Sequence, residues 1–118
     1  MGYSQPQTRI AVVPLPAEIS FTNARVEGRD LLAAVVPGVT AVIADMTATT
    51  FCGQAGANML ALVRSQAQMQ KSRLILVVSS AAVLRSLSLT GLEQLLSVYP
   101  SLDEALSAES LPEAGATR

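Results

Sequence analysis

Two short aliphatic runs, Val39–Ala44 and Arg73–Val78, constrain the fold of this chain more than any other feature of its sequence. Both runs contain β-branched residues and neither alternates regularly between polar and apolar positions, which is typical of strands covered on both faces in a parallel sheet. Between them, a helical spacing of apolar residues extends from about Gly53 to Gln70. Because parallel strands require a crossover connection, the three segments together predict a βαβ unit.

The remaining segments continue this alternation of strands and helices. Strands are predicted at Ile10–Leu15 and Val98-Tyr99, with a short extended piece at Ala17–Phe21. Polar residues that can cap a helix predict three further helix starts: Thr22 or Asn23, Ser79 or Ser80, and Ser101. We therefore expect an α/β fold with a mixed, mostly parallel central sheet of about four or five strands packed with about four or five helices.

Length and composition predict a single folded domain. The chain has 118 residues, of which 50% are hydrophobic and 14% charged, and single domains commonly contain about 100–150 residues. We expect this domain to cover residues 9–108. Residues 1–8 and the tail at 109–118 are expected to be flexible, as chain ends often are.

Several residue types are missing or scarce, which excludes whole classes of function. The chain has no histidine, one cysteine and a formal net charge of −1. A histidine-dependent triad, a cysteine cluster for zinc and a nucleic-acid reader that neutralises phosphates are therefore not expected. The sequence also lacks a phosphate-binding glycine loop, an obvious pair of catalytic carboxylates, a signal peptide and an apolar run of membrane-spanning length. We expect a cytoplasmic protein that is not an enzyme and has no metal or cofactor.

Asp45 and Cys52 remain as candidates for chemistry. Asp45 ends a predicted buried strand, where active sites of parallel sheets often lie, but its carboxylate can instead cap backbone amides of the Thr-rich turn behind it. Cys52 is expected to be a small buried residue, because no histidine is available to activate its thiol. The alternative is sensitivity to oxidation, since a nearby helix start can lower a thiol pKa.

The segment from Val42 to Gly56 resembles the signature of STAS domains, the family that includes the bacterial anti-sigma factor antagonists. In that family a hydrophobic strand ends in Asp, here Asp45, and a short loop and a Phe follow, here Phe51. An Asp-Ser-small-Gly motif then opens a helix. Further along, Leu84–Leu92 resembles the family's L-x-x-x-G-L segment and Val98–Leu106 its C-terminal S-L-D-E-A-L helix. The resemblance covers most of the chain and implies the STAS fold.

The motif departs from the family pattern at two positions. Gly53 replaces the family's Asp and Gln54 replaces its phosphoacceptor Ser, whereas the small residue and the glycine are kept as Ala55 and Gly56. In the family, a partner kinase that is also the anti-sigma factor phosphorylates this serine, and the phosphate prevents binding. Since Gln54 has no hydroxyl, the resemblance implies a protein that cannot be switched off at this position.

The resemblance further implies that the chain binds an anti-sigma factor or a related ATP-binding kinase-like protein. The expected contact surface comprises Glu18, Ser20, Thr22, Asn23, Asp45, Thr49, Thr50, Gly53, Gln54, Ala55, Gly56 and Asn58. Thr49 or Thr50 could replace the missing phosphoacceptor, although loop hydrogen bonding explains both threonines as well. The alternative function is a STAS-type scaffold or an accessory module for the transport of a small ligand or lipid. Formation of a homodimer stays open.

Overall fold

The computed structural model describes residues 9–110, so the expected flexibility of residues 1–8 and 111–118 lies outside the described residues. The elements in chain order are β1 (Ile10–Pro14), β2 (Glu18–Ile19), α1 (Ala24–Ala33), β3 (Ala41–Met46), β4 (Phe51–Cys52), α2 (Gln54–Met69), β5 (Arg73–Val78), α3 (Ala81–Thr90), β6 (Ser97–Tyr99) and α4 (Leu102–Ser110). A 3₁₀ turn at Leu92–Gln94 follows α3. The last two residues of α4 belong to the segment that the sequence analysis assigned to the tail. Across residues 9–110, none of the helices combines the length and the apolar character needed to cross a membrane.

Four strands form the central sheet in the order β1-β3-β5-β6, and each neighbouring pair is parallel. This confirms the predicted α/β fold with its mostly parallel sheet. The strand β3 is shifted along the chain relative to its prediction, because its pairing with β5 continues as far as Met46, opposite Val78. Asp45 is therefore the last residue but one of β3.

Both faces of the central sheet are covered by helices. Successive strand residues point to opposite faces, so Ala44 and Leu76 pack into a core shared with α1, α2 and α3. Ile43 and Ile75 pack on the other face, against Ala105 of α4. This double coverage is the reason why the two aliphatic runs show no regular polar alternation.

The helix ends follow local signals in the sequence. Ser80 accepts a hydrogen bond from the amide of Val83 at 3.3 Å, and Ser101 accepts one from the amide of Glu104 at 3.1 Å. Gly91 ends α3 with φ of +80°, a left-handed conformation that favours glycine. The predicted caps at Ser80 and Ser101 are thus confirmed.

The strands β2 and β4 form a separate two-stranded parallel sheet, in which Glu18 pairs with Phe51 and Ile19 with Cys52. Of these two strands, only β2 was predicted, as part of the extended piece at Ala17–Phe21. This small sheet fixes the start of α2, because Gly56 lies directly against it. A Cβ atom at Gly56 would be 2.7 Å from the Cys52 Sγ and 2.8 Å from the Ile19 Cγ2.

Candidate functional site

The residues of the motif meet where β4, paired with β2, leads into the first turn of α2. The amide of Gly53 donates to the carbonyl of Ile19 at 2.9 Å, which links the helix start to the small sheet. Gln54 is the first residue of α2 and is exposed to solvent. Its Nε2 donates to the Oδ1 of Asn58, one turn along the helix, at 3.1 Å. The carboxamide of Gln54 is therefore held on the surface of the first turn.

The start of α2 has no side chain that caps it and no acidic residue in its first turn. A helix N-terminus carries unpaired amide donors and a partial positive charge, so this surface favours an acceptor or an anion. Gly53 has φ of −83° and ψ of −173°, an extended conformation open to any residue. A Cβ atom at Gly53 would approach the ring of Phe51 to 3.3 Å.

The loop between β2 and α1 is held together by its own side chains. The Oδ1 of Asn23 accepts from the Ser20 amide at 2.9 Å, and its Nδ2 donates to the Glu18 carbonyl at 2.8 Å. The hydroxyls of Ser20 and Thr22 lie 2.8 Å apart. Asn23, predicted as a possible side-chain cap of α1, makes no such cap bond and fastens this loop instead. Since β2 pairs with β4, the loop is fixed in position relative to the start of α2.

Asp45 stabilises the turn that follows β3. Its Oδ1 accepts from the Thr47 amide at 3.1 Å and from the Thr47 hydroxyl at 2.8 Å. The Ser79 hydroxyl, just before α3, donates to the Thr47 carbonyl at 3.1 Å. The interpretation of Asp45 as a carboxylate that caps the Thr-rich turn is confirmed.

Two residues of the expected contact surface, Thr49 and Gly56, are buried, so neither presents a side chain at the surface. Thr49 is 0% exposed, and its hydroxyl donates to the carbonyl of Pro16 at 2.8 Å. A kinase cannot reach this hydroxyl, so Thr49 is also excluded as a substitute phosphoacceptor in this conformation. Gly56 is buried by its packing against the small sheet. Thr50, by contrast, is exposed, with its hydroxyl 3.4 Å from the carbonyl of Ala17.

Cys52 is buried under the start of α2. Burial raises the pKa of its thiol, so the thiol is neutral at physiological pH. The helix start therefore does not activate Cys52, and the alternative of an easily oxidised cysteine is not supported.

Exposed apolar side chains lie beside Gln54 and in the loop after β2, and of these only Phe51 belongs to the sequence motif. Phe51 is 52% exposed and Leu89 of α3 is 83% exposed, and both line a cleft of about 200 Å³ beside Gln54. Phe21, in the loop after β2, is 84% exposed. Leu89 could have been identified from its spacing, because it lies two positions after Leu87 and thus outside the buried row of α3.

This cleft also bears on the alternative function. A site for a small ligand would need a cavity near the loops that follow Asp45. Ligand pockets commonly have volumes of about 300–1,000 Å³; the cleft beside Gln54 is smaller, at about 200 Å³, whereas a groove lined by Ala55 and Asn58 lies within this range, at about 530 Å³. The exposed apolar rim of the cleft is better suited to contact with another protein.

Comparison with known proteins gives a consistent picture of the fold. The family model of the STAS domain matches residues 4–105. Compared with curated proteins, the sequence has no significant match. Among solved structures, the chain is similar to an anti-sigma factor antagonist from Mycobacterium paratuberculosis, with 29% identity, a TM-score of 0.75 and 84% of each chain covered.

Two further structures share the fold at lower identity. An anti-sigma-factor antagonist (STAS) domain protein from Planctomyces limnophilus has 19% identity and a TM-score of 0.76, with 89% of this chain and 93% of that chain covered. The murine anion transporter Slc26a9 has 22% identity and a TM-score of 0.74, with 90% of this chain but only 18% of the transporter covered.

Proposed function

The chain belongs to the STAS domain family, and we propose that it is a non-enzymatic regulatory protein of the anti-sigma factor antagonist type. It binds an anti-sigma factor, or a related ATP-binding kinase-like protein, through the loop and helix start around Gln54. The similarity to the Mycobacterium paratuberculosis antagonist over 84% of both chains supports this assignment. The observation that carries the proposal is the exposed Gln54 at the uncapped start of α2, flanked by exposed apolar side chains.

The chemistry of this surface is suited to a protein partner. Protein interfaces commonly combine an apolar centre with surrounding polar groups. Here Phe51 and Leu89 supply exposed apolar area, while Gln54 and the unpaired amides of α2 supply hydrogen-bonding groups. The rigid loop at Glu18–Asn23 extends the surface on the side of β2. The partner is proposed to contact those residues of the expected contact surface that are exposed or half-buried, and thus not Thr49 or Gly56.

The same surface explains why binding is proposed to be permanent. A carboxamide has no hydroxyl oxygen that can accept a phosphoryl group, so position 54 stays neutral. A phosphate at this position would add a charge of about −1.5 to −2 to the interface. Thr50 is the nearby candidate whose hydroxyl is accessible, and the experiment below therefore also tests it.

The proposal places the protein in the cytoplasm, together with an ATP-binding partner. The second hypothesis stays a STAS-type scaffold or an accessory module for small-ligand or lipid transport, since the fold also occurs in the Slc26a9 transporter. Stabilisation of the purified chain by a small ligand in a thermal-shift screen, without any binding to anti-sigma factors, would favour this second function.

The proposed function is tested by binding assays with candidate anti-sigma factors, with and without ATP. The wild-type chain is compared with Gln54→Ser, which restores a hydroxyl, and with Gln54→Ala, which removes the carboxamide without adding one. The wild type and Gln54→Ala are expected to stay bound in the presence of ATP. Gln54→Ser is expected to incorporate phosphate and to be released.

Two results would contradict the proposal. Failure of the wild-type chain to bind any candidate would remove the antagonist function. Phosphate on Thr50 of the wild type, accompanied by release of the partner, would show that the chain is switched after all. Mass spectrometry of the ATP-treated complex distinguishes phosphorylation at Thr50 from phosphorylation elsewhere.

A further inference from the structure

An apolar groove of about 530 Å³ runs between α1 and α2. Gly28 and Leu32 of α1 line it on one side, and Met59 and Val63 of α2 line it on the other. Leu62, also in the groove, is 56% exposed. Exposed apolar surface of this kind marks interaction sites more often than ordinary protein surface.

The shape of the groove fits a third helix. On α2 the lining residues Ala55, Met59 and Leu62 follow each other at spacings of four and three, and on α1 the lining residues Ala24, Gly28 and Leu32 are spaced by four. Rows with these spacings form the ridges and grooves through which helices pack. The two helices already pack against each other, so the seam between them offers an open position alongside both.

The charges of α1 are divided between its two sides. Arg25 and Arg29, one turn apart, both line the groove. At about 100° per residue, Glu27 and Asp30 lie about 140–160° away from Arg25 around the helix axis, on the opposite side. The groove therefore combines an apolar floor with a basic rim and has no acidic side chain among its lining residues in the described part of the chain.

The groove is also continuous with the surface proposed to bind the partner. Ala55 and Asn58 belong to the predicted contact surface, and both line the groove. Asn58 accepts the hydrogen bond from Gln54. A partner that covers the start of α2 is thus adjacent to the open end of the groove.

We propose that the α1–α2 groove receives an amphipathic helix of the anti-sigma partner, with apolar residues facing Met59 and Leu62 and acidic residues facing Arg25 and Arg29. This inference rests on the proposed function and specifies the chemistry of a second contact region. Insertion of an amphipathic helix into an apolar groove is a recurrent mode of recognition. The acidic residues of the helix would fix its orientation and increase the rate of association.

The test measures the dissociation constant of the complex with the anti-sigma partner for four proteins. Arg29→Glu and Leu62→Asp alter the groove at solvent-exposed positions, so both variants are expected to fold, and thermal unfolding checks this. Lys71→Glu is the matched control for Arg29→Glu, because it makes the same change in net charge at an exposed residue that does not line the groove. We expect each groove variant to bind about tenfold more weakly or worse, and the control to bind within about twofold of the wild type.

A photo-cross-linking residue at position 62 identifies the occupant directly. A cross-link to a helical, acidic segment of the partner supports the proposal. A cross-link to any other kind of segment, or unchanged binding by both groove variants, overturns it while the proposed function stands. If the wild type binds no anti-sigma factor, both proposals fail. If the wild type is a dimer and Leu62→Asp is a monomer, a second copy of the chain occupies the groove. If a small molecule co-purifies with the wild type but not with this variant, that molecule occupies the groove. Either result overturns the inference.

Discussion

Replacement of Gly56 by alanine is predicted to destabilise the chain, although alanine is the better helix former. Helix propensity favours alanine over glycine by up to about 1 kcal/mol. Against this, the new methyl group would lie 2.7 Å from the Cys52 Sγ and 2.8 Å from the Ile19 Cγ2. These neighbours are 3% and 0% exposed, so neither can move into solvent. Overpacking in a core costs about 1–3 kcal/mol, and we expect a net loss of about 1–2 kcal/mol.

The assay is urea unfolding followed by circular dichroism, complemented by thermal unfolding. For a domain of this size the expected loss corresponds to a decrease of roughly 4–8 °C in Tm. The double variant Cys52→Ala/Gly56→Ala is expected to lose less than the sum of the two single variants, because removal of Sγ opens space for the methyl group. Gly53→Ala is the control. Its methyl would meet the half-exposed ring of Phe51, which can turn away, so a change within about 0.5 kcal/mol is expected.

The predicted loss of stability in Gly56→Ala requires a close contact between the first turn of α2 and the small β2–β4 sheet. A Gly56→Ala protein that unfolds at the same urea concentration as the wild type, or at a higher one, would show that this turn can move away from the sheet. Additive effects in the double variant would show that Cys52 is not the neighbour that resists the methyl group. The first result would refute the packing explanation of Gly56, whereas the second would leave Ile19 as the neighbour that resists the methyl group.

Three further predictions concern other sites. The Cys52 thiol should react with a thiol reagent at pH 8 far more slowly in the native protein than in urea, because burial raises its pKa; equal rates would contradict its burial. Gly91→Ala should lower the free energy of unfolding by about 1–2 kcal/mol through backbone strain alone, since φ is +80° and no atom lies within 4 Å of the added Cβ. An unchanged urea midpoint would argue against the left-handed conformation. Burial and the Glu109 carboxylate raise the pKa of Tyr99 above its ordinary 10.0. Above about pH 10 the folded state therefore keeps a proton that the unfolded chain loses. The contribution of Tyr99 to the free energy of unfolding should decline as the pH rises through this range. The variant Glu109→Gln should lower the Tyr99 pKa in a titration followed by phenolate absorbance, and an unchanged titration would exclude the carboxylate as a cause.

The central sheet and the helix ends could be predicted because their signals are local. The run at Arg73–Val78 is apolar over its whole buried length and forms β5 with the predicted bounds. Ser80 and Gly91 mark the two ends of α3 through side-chain capping and a left-handed backbone, both of which depend on one residue and its nearest neighbours. Such features need no knowledge of the rest of the chain.

The parts that could not be predicted depend on contacts between distant residues. The strand β4, which was not predicted, has two residues, too few for a period to be recognised, and it is defined only by its pairing with β2. The burial of Thr49 results from a hydrogen bond to Pro16, which lies 33 positions away in the chain. The α1–α2 groove likewise exists only once the two helices are placed side by side. Each of these features required the tertiary arrangement.

Two residues of the motif, Gly56 and Gln54, differ in how strongly the packing of the fold restricts them. Gly56 is kept, and its position has no room for a side chain. Gln54, which departs from the family pattern, is exposed and bonds only to Asn58 among the described residues. The fold therefore places a steric requirement on Gly56 but none on Gln54. The residue at position 54 can therefore change without disturbing the packing, and Gln54→Ser should change the free energy of unfolding by no more than about 0.5 kcal/mol.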